Sequence, residues 1–543
     1  MKQTSVPLQE IISRVVIPNE RTIDRSPGFW TGLGTMQQLN QRLENQPFLD
    51  FINYNLRGIG QVIFVNNPIS GLLILLALFI QSPWVGLMSL IGVVSSTASA
   101  IALGLNRDTI RNGIFGYNGI LVGAALATFG SSGRGSWNFV WAIAFIVFSV
   151  LTTVMQKTFG VWWANTFRSP HLTLPFNIAT LLFLSLITFI PQSVFKLGEA
   201  LIAPSIPNFW SADKLITALP ISFGQVFLAD KLIAGSLVLL AVAICTPFGA
   251  LVGLTGAFLG IAVGAILGIV PPDIYAGLWG YNSVLAAMAI GGIFYAPNIR
   301  SFAIGSGCAL LSTLIIPMLG IVAKPLGLPV LTLPFCLVTI AFFILLSRSL
   351  PSLVPVALHS VTSPEAHRHR FLLAKDIIGN FRRQLQLAKS GKGRNFMFDK
   401  ASEAVRGDLR YVFDAIDSDR SGRLSTAELS SYLTKGNQNM DASELNYLYN
   451  CMDRDRNGKI DFEEFGELML RHRRLMAKYD AFMTYFLPID TDQNDLISIL
   501  EMNVALASVN EPPLNREEVN YLQQRTGSHS FTWNQFIELL LLT

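Results

Sequence analysis

Two groups of residues in this chain have the types and spacing to do chemistry. The first is neutral and occurs twice. Gln61, Tyr117 and Thr173 lie in apolar surroundings in the first half, and Gln225, Tyr281 and Thr332 do so in the second. Together they offer amide and hydroxyl donors and acceptors beside aromatic faces, without a fixed charge. Such a set suits a small, neutral, planar solute whose N–H groups trade water for side-chain oxygens. A cation pore would call for acidic rings or a carbonyl filter, and an anion pore for basic rings.

The second group is acidic and lies near the C-terminus. A calcium loop needs oxygens at positions 1, 3, 5, 9 and 12, a backbone carbonyl at 7 and a turn glycine at 6. Residues 417–428 supply Asp417, Asp419, Ser421, Gly422, the Arg423 carbonyl, Ser425 and Glu428. Residues 453–464 supply Asp453, Asp455, Asn457, Gly458, the Lys459 carbonyl, Asp461 and Glu464. A third loop carries Asp490, Asp492, Asn494, the Leu496 carbonyl, Ser498 and Glu501, with Asp495 in the glycine position. Asp tolerates the left-handed conformation better than most residues, so this loop is expected to bind more weakly. A fourth unit near Gln524–Gln535 lacks acidic ligands and reads as a structural partner for the third. Position 8, which zips paired loops together, is Leu424, Ile460, Ile497 and Phe531 in the four units. The cofactor expected is Ca2+.

The elements that must position these groups follow from composition. Of 543 residues, 51% are apolar and 14% charged, well under the roughly 25% charge of a soluble domain. Residues 57–350 carry 12 basic and 5 acidic side chains, whereas residues 400–543 carry 15 and 23. A membrane domain joined to an acidic soluble domain is implied, and a single soluble or disordered chain is excluded. Ten apolar runs of near-spanning length lie at 60–81, 84–104, 113–130, 137–156 and 173–193, then 224–246, 248–270, 278–296, 301–321 and 330–348. The two sets of five are copies. Gly60-Gln61-Val62 recurs as Gly224-Gln225-Val226, and Gly116-Tyr117-Asn118 as Gly280-Tyr281-Asn282. Five spans per copy invert the second against the first, which puts a solute path near the midplane of the repeat interface. Polar residues opening spans one and six (Gln61, Asn66, Asn67; Gln225, Asp230) suggest short segments that enter and turn back, with turns at Asn67-Pro68 and Asp230-Lys231.

The expected fold is therefore all-α: about ten transmembrane helices in two inverted five-helix repeats with re-entrant pore segments, then a soluble helical calcium-binding domain. The expected divisions are an N-terminal segment (1–45), a membrane domain (46–350, with repeats at about 46–195 and 215–350), a basic connector (351–395) and the calcium domain (396–543). The N-terminus lacks the apolar core of a signal peptide, and basic residues from Arg368 to Arg394 follow the last span. Both termini are expected in the cytoplasm, on a cell (plasma or inner) membrane. The four cysteines form no CxxC pair, so neither disulfides nor a zinc site is expected. No phosphate loop or nucleophile constellation points to an enzyme, and no nucleic-acid partner is expected.

The sequence Leu328-Pro329-Val330-Leu331-Thr332-Leu333-Pro334-Phe335 resembles the urea transporter signature LPxxTxPF throughout, and Ser169-Pro170-His171-Leu172-Thr173-Leu174-Pro175-Phe176 departs only at Ser169. Residues 57–68 also resemble that family's first pore segment. The resemblance covers roughly residues 45–350. It implies a non-pumping path for urea, one per subunit of a homotrimer. Pore glutamines would be Gln61 and Gln225, midpoint threonines Thr173 and Thr332, and aromatic slots Phe64, Tyr117 and Tyr281. Leu228 stands opposite Phe64, where some members carry an acid. Ammonia, water or short amides are alternative solutes. The calcium loops resemble EF-hands, implying modulation by calcium and a calcium-dependent protein partner. A calcium-gated cation channel, or a non-conducting calcium receptor on the same fold, are the competing readings.

Overall fold

The computed structural model describes residues 34–130, 139–167, 169–187, 189, 209–346, 353, 356, 363–389, 396–399, 401–435, 442–453, 457–477, 494, 496–508, 511–526, 530–532, 535–537 and 541. The chain divides into two compact units, one of residues 26–368 and one containing 369–543.

The first unit is built from helices α1 (Gln37–Arg42), α2 (Pro47–Gln61), α3 (Pro68–Gln81), α4 (Pro83–Ala102), α5 (Arg107–Arg111), α6 (Tyr117–Ala125), α7 (Phe139–Phe167) and α8 (Leu174–Ile187), then α9 (Ala212–Gln225), α10 (Leu232–Cys245), α11 (Pro247–Ile266), α12 (Pro271–Tyr275), α13 (Tyr281–Met288), α14 (Ile299–Ala323) and α15 (Leu333–Leu346). The helix starts are written in the sequence: Pro47, Pro68, Pro83, Pro247 and Pro271 sit in first turns, where the missing N–H is no loss. Asn67 caps α3 by accepting from the N–H groups of Ile69 and Ser70.

Among the described residues, four apolar helices (Pro83–Ala102, Val140–Ala164, Pro247–Ile266 and Ile299–Leu326) are long enough to cross a membrane, and six more are shorter. The expected spans 60–81 and 224–246 are not single helices. Each is cut after its glutamine: α2 ends at Gln61 and α3 begins at Pro68, while α9 ends at Gln225 and α10 begins at Leu232. Phe64 (φ 61°) and Leu228 (φ 60°) turn left-handed in these breaks, a conformation that cannot continue a helix.

The halves match element for element. Helices α3, α4 and α5 recur as α10, α11 and α12 with both ends displaced by 164 residues, and α8 recurs as α15 displaced by 159. Close approach needs glycine at matched places. A Cβ on Gly71 would lie 1.8 Å from the Leu56 carbonyl oxygen, and one on Gly235 would lie 2.3 Å from that of Pro220. Helix α3 also meets the other half directly: Ser70 Oγ donates to the Ala241 carbonyl of α10 at 2.7 Å. The core fills with Ile59, Ile74, Phe145, Phe176, Phe223, Phe227 and Phe335, all buried. Wholly apolar flanks such as Leu72, Leu76, Phe258 and Ile321 stay exposed, as a lipid-facing surface requires.

Among its described residues, the second unit is helical with two small sheets. Helix α16 (Pro364–Lys389) starts in the first unit and, from residue 369, belongs to the second. It precedes α17 (Phe396–Asp399), α18 (Glu403–Ile416), α19 (Thr426–Lys435), α20 (Ala442–Met452), α21 (Phe462–Ala477), α22 (Ile499–Ser508) and α23 (Arg516–Thr526). Strands β1 (Arg423–Leu424) and β2 (Ile460–Asp461) pair antiparallel with Leu424 opposite Ile460. Strands β3 (Leu496–Ser498) and β4 (Ser530–Thr532) do so with Ile497 opposite Phe531. These are the four position-8 residues. The fourth, ligand-poor unit thus partners the third loop. Phe413 and Phe465 meet edge-on at 5.6 Å in the core between α18 and α21.

Candidate functional site: a paired polar ladder and acidic loops

Each half presents its glutamine on the last residue of a helix, half-buried, and ties it the same way. Gln61 Nε2 donates to the Asn112 carbonyl at 2.8 Å, and Gln225 Nε2 donates to the Ala276 carbonyl at 2.7 Å. With one amide hydrogen committed to backbone, the side-chain oxygen is left as an acceptor for an N–H. Each tyrosine opens a helix, α6 or α13. Tyr117 donates its hydroxyl to the Leu172 carbonyl at 2.8 Å, and Tyr281 donates to the Leu331 carbonyl at 2.5 Å. Leu172 and Leu331 both hold φ 51°, which turns these carbonyls just before the threonines. Left-handed leucine is strained by about 1 kcal/mol or more and persists only where its surroundings enforce it.

Thr173 and Thr332, at the starts of α8 and α15, meet across the two halves. Their Oγ1 atoms are 2.7 Å apart and both side chains are buried. Phe64 packs edge-on against Phe294 (5.7 Å) and Phe335 (6.2 Å), while Leu228 packs against the same core. Asn118 and Asn282 pin backbone, accepting from the N–H groups of Phe176 and Phe335. Asp230, the acid closest in sequence to Gln225, is exposed and accepts from Gln81 Nε2 at 2.7 Å.

Several participants were not singled out as site residues from the sequence. Asn177 donates to Thr332 Oγ1 at 2.8 Å, and Cys336 Sγ lies 3.1 Å from Thr173 Oγ1. His171 Nδ1 is 3.4 Å from the Tyr117 hydroxyl. Asn177 and Cys336 each follow the signature directly, which is the one signal that marks them. Nothing in residue type marks the carbonyls of Asn112 and Ala276.

In the acidic unit, loop one is organised around its carboxylates. Asp417 accepts from the N–H groups of Ser421 and Gly422, Asp419 from Ser421, and Glu428 from Ser418, Asp419 and Ser425. Ser421 Oγ donates to the Arg423 carbonyl, and Ser425 Oγ to Glu428. Gly422 takes φ 74°, as the sixth position requires. One carboxylate oxygen each from Asp417, Asp419 and Glu428 fall within 4.8 Å of one another. Three clustered carboxylates, hydroxyls and a turned carbonyl fit a hard divalent cation. Hydrogen bonds from Ser421 hold the Asp419 carboxyl below its ordinary range. Burial raises the Glu428 carboxyl, yet bonds from Ser425 and Asp419 bring it below the ordinary value.

Loop two repeats the pattern: Asp453 accepts from Asn457 and Gly458, Gly458 holds φ 76°, and Glu464 accepts from Asp461. Lys459 donates its N–H to Asn457 Oδ1. In loop three, Ser498 donates to Glu501 and Leu496 donates to Asn494. Asp455, Asp490 and Asp492 lie outside the described residues.

The paired ladder, set among apolar helices, has the character of a neutral-solute path through a membrane protein. The urea transporter family model matches residues 52–347, and an EF-hand domain pair matches residues 407–470. The chain is 34% identical over 365 residues to "Urea transporter 1" of Ovis aries, spanning 65% of this chain and 91% of that protein. It is 35% identical over 353 residues to "Urea transporter 1" of Rattus norvegicus, spanning 63% and 89%. This chain belongs to the urea transporter family and carries an EF-hand pair beyond the family domain. It is an integral membrane protein, and members of its family are transporters rather than enzymes.

Proposed function

We propose that this protein is a passive, channel-like path for urea whose flux is modulated by calcium at a cytoplasmic EF-hand domain. One observation carries the transport reading. The same glutamine-to-carbonyl, tyrosine-to-carbonyl and threonine contacts occur in both halves and converge on a single threonine pair. Acceptors that recur along two related halves would strip water from N–H groups in steps, each loss matched by a new bond. Substrate-path residues are then Gln61, Phe64, Tyr117, Thr173, Gln225, Leu228, Tyr281 and Thr332.

Our architecture for the membrane domain (46–350) is ten spans in two inverted repeats, with α2 and α9 as the re-entrant segments. The family resemblance supports a homotrimer with one path per subunit. Both termini face the cytoplasm. Loops 417–428 and 453–464 bind Ca2+, and 490–501 binds it more weakly.

Support for coupling comes from α16. Within the first unit, Glu365 on its first turn accepts from Thr246 Oγ1 (3.0 Å) and the Phe248 N–H (2.8 Å), capping α11. Within the second unit, Asp376 pairs with Arg474 of α21 at 2.9 Å. Arg382 donates to the Pro513 carbonyl and pairs with Glu518 of α23. A change in EF-hand helix angles on calcium binding would act on those bonds.

Replacing Thr332 with leucine tests the path. The account expects urea flux to vanish in liposomes holding folded, membrane-inserted protein. Wild-type flux in the folded Thr332→Leu variant would remove the midpoint assignment.

A further inference from the structure

The two halves repeat their glutamines, tyrosines, threonines and helix-opening asparagines, but four residues after each threonine they differ. Asn177 stands in the first half and Cys336 in the second, 159 residues on, and both are buried. The Asn177 amide has one possible orientation. Its Oδ1 accepts from the Thr332 backbone N–H at 3.2 Å, and its Nδ2 donates to the Thr173 carbonyl at 2.8 Å. A backbone N–H only donates and a carbonyl only accepts, so a flipped amide would lose both bonds. The Nδ2 group is therefore also the donor to Thr332 Oγ1 at 2.8 Å.

That donation sets the direction of everything beyond it. Thr332 Oγ1 lies 2.7 Å from Thr173 Oγ1, which lies 3.1 Å from Cys336 Sγ. If Thr332 donates to Thr173, and Thr173 to the sulfur, every hydroxyl hydrogen has a protein acceptor. In the reverse direction the Thr332 oxygen would accept twice and its hydrogen would meet no acceptor among the described residues. An oxygen that accepts from an amide is also the better donor onward.

We infer that Asn177 is a positioning residue which fixes a one-way chain, Asn177 to Thr332 to Thr173 to Cys336, and so makes the threonine pair acceptor-only toward the solute path. This rests on the reading of the threonine pair as the midpoint of that path. Each hydroxyl oxygen keeps one lone pair and neither keeps a hydrogen. A solute there must bring its own donors. Urea carries four N–H hydrogens and can meet both oxygens at once. A water molecule that bonds both threonine oxygens commits both hydrogens to them, so it cannot donate onward, and a proton relay along a water file stops at that molecule. Cys336 in place of a second asparagine is what permits this: it ends the chain with an acceptor.

The experiment reads urea permeability, water permeability and proton leak in the same proteoliposomes, the last from an interior pH-sensitive dye. Asn177→Cys frees the chain's direction, and the urea-to-water ratio is expected to fall about tenfold, the size of one net hydrogen bond, with a measurable proton leak. Cys336→Asn leaves Asn177 untouched but adds an amide donor at the Thr173 end, which forces a hydroxyl hydrogen toward the path. It should lower the ratio similarly, and it carries the test if Asn177→Cys does not fold. Cys336→Ser keeps a terminal acceptor and should stay within about twofold of the parent ratio. An unchanged ratio in folded Asn177→Cys or Cys336→Asn overturns the inference, as does an equal fall in Cys336→Ser, which would mark a packing role. Undiminished urea flux in Thr332→Val would overturn the path reading beneath it, a different result from unchanged selectivity.

Discussion

Replacing Gln225 with methionine changes one polar group and little volume, because methionine is an unbranched side chain of similar length. The structure gives two consequences. First, the Ala276 carbonyl loses the donor held at 2.7 Å. One hydrogen bond of this kind is worth about 1 kcal/mol net, so the melting temperature should fall by only about 2–4 °C in a domain of this size. Second, a passing N–H loses the Oε1 acceptor. An unreplaced hydrogen bond of about 1 to 2 kcal/mol at the barrier lowers permeability about five- to thirtyfold. Because Gln61 holds the matched bond to Asn112 at 2.8 Å, Gln61→Met should fall by a factor within about twofold of it. Stopped-flow light scattering on proteoliposomes under a urea gradient measures both. Wild-type urea permeability in folded Gln225→Met would refute the reasoning that these glutamines replace water around the solute.

Four further outcomes follow from the packing, the acidic loops and the helix that joins them. Gly71→Ala puts a Cβ 1.8 Å from the Leu56 carbonyl oxygen, so α2 and α3 must part, at about 1–3 kcal/mol in stability; thermal unfolding in detergent should show this, and an unshifted transition would contradict the close approach. Glu428→Gln should remove one bound calcium in isothermal titration while leaving loop two competent. Because hydrogen bonds hold the Asp419 and Glu428 carboxyls below their ordinary values, the charged form persists to pH values below the usual carboxylate range. Calcium binding at loop one should then stay flat from neutrality down into the ordinary carboxylate range and be lost only as the pH falls through the lowered values; a decline starting near neutrality would argue against this. Glu365→Ala removes the carboxylate that accepts from Thr246 and Phe248, and is expected to blunt any calcium response while basal urea flux stays.

Much of this was legible in residue order, for physical reasons. The duplicated signature and the constant offset between copies placed the glutamines, tyrosines and threonines, since a doubled fold leaves doubled residues. The calcium loops were legible because oxygen ligation imposes fixed positions, and the position-8 pairs Leu424–Ile460 and Ile497–Phe531 followed from that register. Interruptions near Asn67-Pro68 and Asp230-Lys231 were legible from their polar residues, and the next helices do begin there; the left-handed turns at Phe64 and Leu228 were not. Neither Phe64 nor Leu228 is a residue type that marks a positive φ, so the turn itself shows only in the backbone. The carbonyls of Asn112 and Ala276 were also hidden, because a backbone acceptor carries no residue type. Asn177 and Cys336 stood beside the signature, but their roles depend on which atoms cross between halves, and that is set only by tertiary packing.

The central claim joins a urea path to a calcium-binding domain in one chain. Its most direct test is urea flux by stopped-flow light scattering in proteoliposomes of the purified full-length protein, with calcium and with chelator on both sides. The account predicts rapid urea flux whose rate changes with calcium. No urea flux under either condition would contradict the transport claim, and a rate identical in both would contradict the coupling.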